Sequence, residues 1–247
     1  MFQGLTRYVA VVNGTTVRGV VYPRRSLLLV TGVPGAGKST LLRRLFGFCE
    51  DEARTVLTPE GVRVVDSLQS RHRLGALLGR IPYPLWRWVV HVLHLVRVAA
   101  ALNGGPVVLH ECGTRSPIRV LLTLLCRFRR YEMHVVMIDA APQEARNGQN
   151  ARGRRVTEHS HRTHSRRWRR LLAATRRRPT AFSSRVCSLL VLDREQARKL
   201  AWVRFDPRED ARPPERGLRR SASGTQAYAP RSPAAQRLGS ADRPIAS

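Results

Sequence analysis

The chain of 247 residues is long enough for one globular domain with appendages and a sizeable core. Its formal charge of +27 comes from 44 basic residues, of which only Lys38 and Lys199 are lysines; this arginine preference is typical of a GC-rich genome, so a nucleic-acid role is not favoured, and no recognition motif supports one. The four cysteines form no C-x-x-C pair, which argues against a zinc site or a disulfide framework and for a reducing cytoplasm.

Residues 7–21 predict an N-terminal β-hairpin, because two β-rich runs flank the turn-forming pair Asn13-Gly14. From residue 27 onward, short apolar runs alternate with helical segments, and the predicted strands are 27–30, 62–65, 106–110, 133–138 and 186–192. This alternation predicts an α/β fold, a three-layer sandwich around a five-stranded, mostly parallel sheet. We divide the chain into a hairpin extension (1–25), a main domain (26–205) and a tail (206–247), whose Pro-, Arg- and Ser-rich composition predicts disorder.

The segment GVPGAGKS fits the phosphate-loop pattern G-x-x-x-x-G-K-[ST] at every fixed position. An apolar strand precedes it and a helical segment follows, as the motif requires. The glycines allow a tight turn whose backbone N–H groups face a nucleoside triphosphate. In this motif Lys38 reaches the outer phosphates and Ser39 ligates magnesium. The predicted phosphate-binding residues are therefore Gly32, Val33, Pro34, Gly35, Ala36, Gly37, Lys38 and Ser39.

Four later strands end in, or next to, an acid: Asp66, Glu111, Asp139 and Asp193. Because ligands of parallel α/β sheets bind at the carboxyl ends of the strands, Asp66 and Glu111 are the natural partners of a magnesium triphosphate. An acid at the end of the second strand suits a base that acts on a substrate hydroxyl, which favours Asp66 in that role. The alternatives for Asp66 are a helix cap or a water-mediated magnesium contact.

The segment 84–102 predicts a helix, with Arg87, His91, His94 and Arg97 on one face. A solvated stripe on a soluble helix explains this pattern better than a membrane span; the alternative is that the stripe lines an acceptor site. The N-terminus also lacks the features of a signal peptide.

The Arg-rich stretch 146–178 continues a helix that opens at Pro142, and residues 144–156 stand where a mobile lid belongs. Trp168, Leu171 and Leu172 are predicted to dock this stretch on the sheet with its arginines in solvent. The histidines at 159, 161 and 164 lack a cysteine or carboxylate pair nearby, so no metal site is predicted there.

Three activities are compatible with a phosphate loop. A GTPase switch would need a guanine-reading N-K-x-D motif, which is absent, and His110-Glu111-Cys112 is a poor match to the acid pair of motor ATPases. A kinase fits best, because arginines that converge on a phosphate cradle are what phosphoryl transfer requires. The alternative is a nucleotide-dependent regulatory or binding ATPase, including one associated with nucleic acid, that has no phosphoryl acceptor.

Residues 26–200 resemble the zeta-toxin-like P-loop kinases, a group that includes chloramphenicol phosphotransferase and polynucleotide kinase, and in particular actinobacterial AAA-type ATP-binding proteins. The matching pieces are LLLVTGVPGAGKSTLLRRL, VRVVDS, PVVLHECGTRSP and VVMIDAAPQEARNGQNARGRR. The resemblance implies ATP and Mg²⁺ as cofactors and transfer of the γ-phosphate to an unidentified small-molecule or nucleotide acceptor.

The same resemblance implies roles for individual residues. Lys38, Ser39 and Thr40 would handle the phosphates and magnesium, and Asp66 would be the base. Arg152 and Arg154 would be lid arginines, with Arg146 a weaker candidate. The relatives often read V-V-V-D at the third strand, whereas this chain reads V-V-L-H-E-C-G-T, so His110 or Glu111 stands in for that acid. We assign magnesium to Ser39 and Glu111.

Overall fold

The computed structural model describes residues 17–48, 52, 54–79, 81–150 and 158–206. The first run of the predicted hairpin, the arginines at 152 and 154 and the tail beyond 206 lie outside these residues. Strands and helices alternate along the chain as β1 Gly19–Pro23, β2 Ser26–Gly32, α1 Lys38–Phe46, β3 Val56–Leu57, β4 Arg63–Asp66, α2 Ser67–Leu78, α3 Tyr83–Ala101, β5 Val107–His110, α4 Ser116–Arg129, β6 Glu132–Asp139, α5 Pro142–Asn150, α6 Glu158–Arg177, β7 Val186–Asp193, α7 Arg194–Lys199 and β8 Trp202–Asp206.

The main sheet has six strands in the order β3-β4-β5-β2-β6-β7. Five of them are the predicted strands, and they run parallel to one another. The sixth, β3, pairs antiparallel with β4 and has only two residues, too few to produce a pattern in the sequence. The predicted α/β P-loop fold is therefore confirmed, with one short edge strand more than expected.

The centre of the sheet is buried on both faces. Every residue of β2 and of β5 is buried, which explains why these strands are unbroken apolar runs and not alternating ones. Their parallel register aligns Val30 with His110, and His110 in turn with Asp66 on β4. This row across three strands places the end of β4 at the same edge of the sheet as the start of the phosphate loop, with β5 between them.

A second, two-stranded sheet joins the two ends of the described chain. Gly19–Pro23 pairs in parallel with Trp202–Asp206, a strand that the sequence analysis did not predict. Arg44 of α1 donates to the carbonyl oxygens of Ala197 and Leu200 at 2.6 and 2.7 Å, which holds α7 just before β8.

Several helix ends follow from local sequence. Gly47 ends α1 in the left-handed conformation, and Asp193 with Gln196 forms a capping box at the start of α7, as S/T/D-x-x-E/Q spacing predicts. In α4 the sequence Ser116-Pro117 suggests a cap at Ser116, but Ser116 is the first helical residue, and Arg115 is the N-cap without a side-chain bond. Within the described ranges, no helix combines the length and apolar character that crossing a membrane requires.

Candidate active site

The phosphate loop lies between β2 and α1, at the carboxyl edge of the sheet. Gly35 and Gly37 adopt left-handed backbone angles with φ of 85° and 103°, which other residues rarely tolerate. Lys38 begins α1 and is buried; its Nζ donates to the carbonyl oxygens of Gly32 and Val33 at 2.8 and 3.1 Å. The lysine thus lies folded over its own loop, where phosphate oxygens would replace those carbonyls as acceptors.

Helix α5 packs directly against this loop. Gln149 Nε2 donates to the Pro34 carbonyl oxygen at 3.0 Å. A methyl group added at Gly35 would collide with the Ala145 carbonyl oxygen, and one at Gly148 would lie 2.6 Å from the Gly35 carbonyl oxygen. Both positions therefore require glycine, because the two backbones approach closely. Through these contacts α5 holds the phosphate loop in place.

We expect Gly148→Ala to lower the free energy of unfolding by about 1–3 kcal/mol, as overpacking does, although alanine is the better helix former. The matched control is Gly75→Ala in α2, where an added methyl group meets nothing within 4 Å; that change should stabilise the protein by about 0.5–1 kcal/mol. Urea unfolding of both variants is the measurement. Stabilisation by both substitutions would show that α5 does not press on the loop.

Asp66 and His110 form a close pair beside the phosphate loop. His110 Nδ1 lies 2.6 Å from Asp66 Oδ2, and the carboxyl side chain is 1% exposed. Since an ionised carboxylate only accepts, Nδ1 carries a proton in either charge state of the ring, and in the neutral state the lone pair is on Nε2. The other oxygen of Asp66 caps α2 by accepting from the Leu68 N–H at 2.9 Å. The two neighbours in the register row thus become a carboxylate–imidazole pair.

Burial raises the pKa of Asp66, but the charge and hydrogen bond of His110 and the Leu68 N–H more than offset this, so the pKa lies below its ordinary value. Asp66 is therefore a carboxylate throughout the neutral range. The sequence analysis gave two alternatives to a base role for Asp66, a helix cap and a water-mediated magnesium contact, and the helix cap is present. Its burial and its two engaged oxygens leave His110 as the group of the pair that an acceptor would meet.

Glu111 follows β5 next to the first turn of the loop, because its N–H donates to the Val30 carbonyl oxygen at 3.3 Å. Its Oε1 accepts from the Cys112 N–H at 3.0 Å, and its Oε2 lies 3.9 Å from His94 Nε2. Ser39, in the first turn of α1, supplies the hydroxyl of the motif. A hydroxyl and a carboxylate beside a phosphate cradle fit Mg²⁺, which takes few protein ligands and fills its other positions with water and phosphate oxygens. Among the described residues, no group of three or more His, Cys, Asp or Glu side chains is placed to hold a metal ion.

The described part of the polar stripe of α3, His91, His94 and Arg97, is buried or half-buried, so the prediction of a solvated stripe is wrong for these residues. His94 is 1% exposed, and Arg97 donates to Gln69 Oε1 at 2.7 Å and to Ser70 Oγ at 3.1 Å. Trp86, Val90 and Val98 of α3 are buried as well, and four apolar side chains are more than half exposed: Leu85, Trp88, Val92 and Val96. Helical periodicity located the stripe but could not say whether the fold would bury it.

His94 is a buried polar side chain without a hydrogen bond on either ring nitrogen. Burial lowers its pKa; Glu111 and Asp66 oppose this, whereas Arg97 and His91 add to it. Buried unsatisfied groups are rare in folded proteins because each costs free energy. The unsatisfied imidazole lies within electrostatic range of both Glu111 and Asp66, so it belongs to the same end of the sheet as the Asp66–His110 pair.

We expect the stability of the protein to fall as pH drops below 6.5, the ordinary pKa of a histidine. The unfolded chain takes up the His94 proton at that pH, whereas the folded chain resists it, so stability present above 6.5 is lost below it. The slope from one such group is at most about 1.4 kcal/mol per pH unit. His94→Gln should remove it, whereas His72→Gln, at an exposed position on α2, should not. Urea unfolding between pH 7.5 and 5 is the measurement; an identical slope in the His94 variant would contradict the assignment.

The other predicted positions divide into structural and lid residues. Asp139 accepts from Trp168 Nε1 at 3.3 Å, and Trp168, Leu171 and Leu172 are buried as predicted, so α6 docks on the sheet. Asp193 caps α7. Arg146 lies on α5, and Arg152 and Arg154 lie outside the described residues, so their lid role stays a prediction.

Sequence reasoning missed His164 as a site residue. His164 Nδ1 contacts Thr114 Oγ1 at 3.2 Å. Burial and the charges of Arg115 and Arg167 lower the pKa of His164, Glu111 raises it, and Lys38 adds a smaller lowering effect. The imidazole is thus within electrostatic range of the phosphate loop, and only the tertiary fold brings the two together.

The parallel sheet, the left-handed glycine loop and the lysine folded over it define a P-loop nucleotide-binding protein. Residues 27–178 match the family profile described as an AAA domain, and the chain belongs to that family. The match confirms the resemblance to zeta-toxin-like P-loop kinases. No curated protein matches the chain.

Solved structures with the same type of fold are only distantly similar. The tunicamycin resistance protein of Deinococcus radiodurans is 15% identical over 72% of this chain and 94% of its own, with a TM-score of 0.41. The APS kinase of Mycobacterium tuberculosis, solved with AMPPNP and APS, is 17% identical over 72% and 95%, with a TM-score of 0.37. A chain of the PezAT toxin-antitoxin system of Streptococcus pneumoniae is 16% identical over 53% and 52%, with a TM-score of 0.39. At this level of similarity none of them assigns a substrate to this chain.

Proposed function

We propose that this protein is an ATP-dependent phosphotransferase that moves the γ-phosphate of ATP to a hydroxyl group of a small-molecule or nucleotide acceptor. The observation that carries the proposal is the 2.6 Å contact between His110 Nδ1 and Asp66 Oδ2; His110 lies on β5, which pairs with the strand that leads into the phosphate loop. A hydroxyl acceptor needs a base near the γ-phosphate, whereas a protein that only binds nucleotide does not.

The residues around the triphosphate have separate tasks. Lys38, Thr40 and the loop N–H groups would hold the phosphates, and Ser39 with Glu111 would hold Mg²⁺. When bound, Mg²⁺ supplies charge neutralisation for the phosphate oxygens. Arg152 and Arg154, which follow α5 in the chain, would neutralise the transferring phosphoryl group and exclude water, and Arg146 is a weaker candidate.

In the transfer step, we assign the proton of the acceptor hydroxyl to His110 Nε2. The acceptor oxygen bonds to the γ-phosphorus while the bond from that phosphorus to the β–γ bridging oxygen breaks, and ADP leaves. Asp66 stays ionised, keeps the other His110 proton on Nδ1 and stabilises the imidazolium until it releases its proton to water. Asp66 thus contributes to base catalysis through His110.

We place this reaction in the cytoplasm, where the described cysteines, Cys112, Cys126 and Cys187, would remain thiols as they are in the structure. ATP and the acceptor are the proposed partners, and nucleic acid is not favoured.

The test is incubation of the full chain with a metabolite extract and ATP labelled in its γ-phosphate. We expect label in an organic product, and none with Lys38→Ala. Label released only as inorganic phosphate would overturn the proposal and favour a nucleotide-dependent ATPase without an acceptor.

A further inference from the structure

A large cavity lies beside the candidate active site. Its volume is about 1010 Å³, at the upper end of the range of small-molecule sites. It is bounded by α3, by the loop between β5 and α4, by α4 and by α6. The loop that forms part of its wall follows β5, the strand that ends at His110, and lines the cavity from Thr114 onward.

The cavity wall carries positive charge without a matching acid. Arg115, Arg119, Arg167 and Arg170 line it, and the described side chains of its wall include no Asp or Glu. Arg119 is held by the carbonyl oxygens of Phe182 and Gly113 at 2.9 and 2.8 Å, and among the described residues none of the four arginines forms a salt bridge with a carboxylate. Cations from three segments that face one cavity raise the electrostatic potential there and favour an anion inside it.

The contact between Arg115 and His91 points the same way. Arg115 Nη1 lies 2.6 Å from His91 Nε2, a distance that requires His91 to accept with a neutral ring. His91 on α3 therefore positions the Arg115 guanidinium at the cavity without neutralising its charge. An arginine fixed in this way presents its remaining N–H groups as a fork that matches phosphate oxygens.

His164 connects the cavity to the phosphate loop. It contacts Thr114, which lines the cavity, and both Arg115 and Lys38 act on its protonation. His164 therefore links the Thr114 side of the cavity wall to the neighbourhood of Lys38. The remaining wall is apolar, with Leu95, Leu121 and Leu171, and suits the uncharged part of an organic molecule.

We propose that this cavity binds the phosphoryl acceptor, and that the acceptor is an organic molecule that already carries a phosphate or pyrophosphate group. Arg115 and Arg167 hold the anionic group, and the acceptor hydroxyl extends toward His110. That the ligand is the phosphoryl acceptor rests on the proposed function. Binding of an anion in the cavity does not depend on catalysis.

The binding test uses the full chain with its phosphate loop first saturated by a non-hydrolysable ATP analogue and Mg²⁺. Titration calorimetry with inorganic pyrophosphate should then reveal one further site. The double variant R115Q/R167Q should weaken that site at least tenfold and leave the affinity for the ATP analogue unchanged. The matched control is R127Q/R177Q, which removes the same charge from exposed positions that do not line the cavity.

Absence of the second pyrophosphate site, or equal weakening by both double variants, would overturn the proposal. In the labelling screen, the acceptor should be retained by an anion-exchange resin, and an acceptor in the unbound fraction would overturn it as well. A screen without any labelled organic product, with the pyrophosphate site present, would instead refute the phosphotransferase function and leave the anion site standing.

Discussion

We expect Lys38→Ala to reduce phosphoryl transfer at least about 10²–10³-fold, the loss typical of removing one preorganised donor from a transition state. Before nucleotide binds, the Lys38 ammonium is occupied by the Gly32 and Val33 carbonyl oxygens of its own loop. Lys38 is only 8% exposed, yet its ammonium donates to loop carbonyl oxygens. The fold should therefore survive the change.

Turnover, nucleotide affinity and circular dichroism are the measurements. Lys199→Ala is the matched control, because Lys199 is the only other lysine and forms an exposed pair with Glu195 of the same helix. It should leave turnover and nucleotide affinity unchanged. Native turnover in the Lys38 variant would refute the phosphate-loop assignment itself.

The second large effect concerns Asp66→Asn, which should lower transfer by on the order of 10² or more while nucleotide affinity changes little. Asparagine is as good an N-cap as aspartate, so α2 should keep its start and stability should fall only modestly. What is lost is the carboxylate that stabilises His110 when it accepts a proton. His110→Gln should cause a comparable loss, because the same base is removed directly.

The double variant of Asp66 and His110 distinguishes a pair from two independent groups. Residues that act as one unit are strongly non-additive, so the double change should cost little more than either single change. Additive losses would contradict the pair. Loss of magnesium-dependent nucleotide affinity in Asp66→Asn would instead assign Asp66 to the metal, and unchanged slow hydrolysis would favour a nucleotide-gated binder.

The local parts of the fold could be predicted from the sequence. The five parallel strands are continuous apolar runs, and the phosphate loop is a contiguous motif whose geometry its glycines dictate. Strand β3 is too short to detect, and α2 has weak apolar periodicity with Gly75 in its middle. Strand β8 depends on a partner at the other end of the chain, which no local pattern records.

The site residues at strand ends could be predicted from the sequence. The contacts between them depend on how the strands pair, and the sequence does not show that. Asp66 and Glu111 were found because each stands at a strand end, but the Asp66–His110 contact exists because β4 and β5 pair Asp66 with His110. His94 was found as part of a stripe and assigned to the wrong side of α3. His164 reaches the site only because α6 packs across the sheet, which sequence spacing does not show.

The pairing of β1 with β8 has a consequence for biosynthesis. Strand β1 is made near the beginning of the chain, and its partner only about 180 residues later. At 5–20 residues per second, the ribosome needs on the order of 10 to 40 s to supply that partner. For all of this time the edge of β1 has no β8 to pair with, and an uncovered strand edge is a template for association with other chains. The nascent protein is therefore most vulnerable to aggregation during translation, and a chain released before Asp206 would retain that vulnerability permanently.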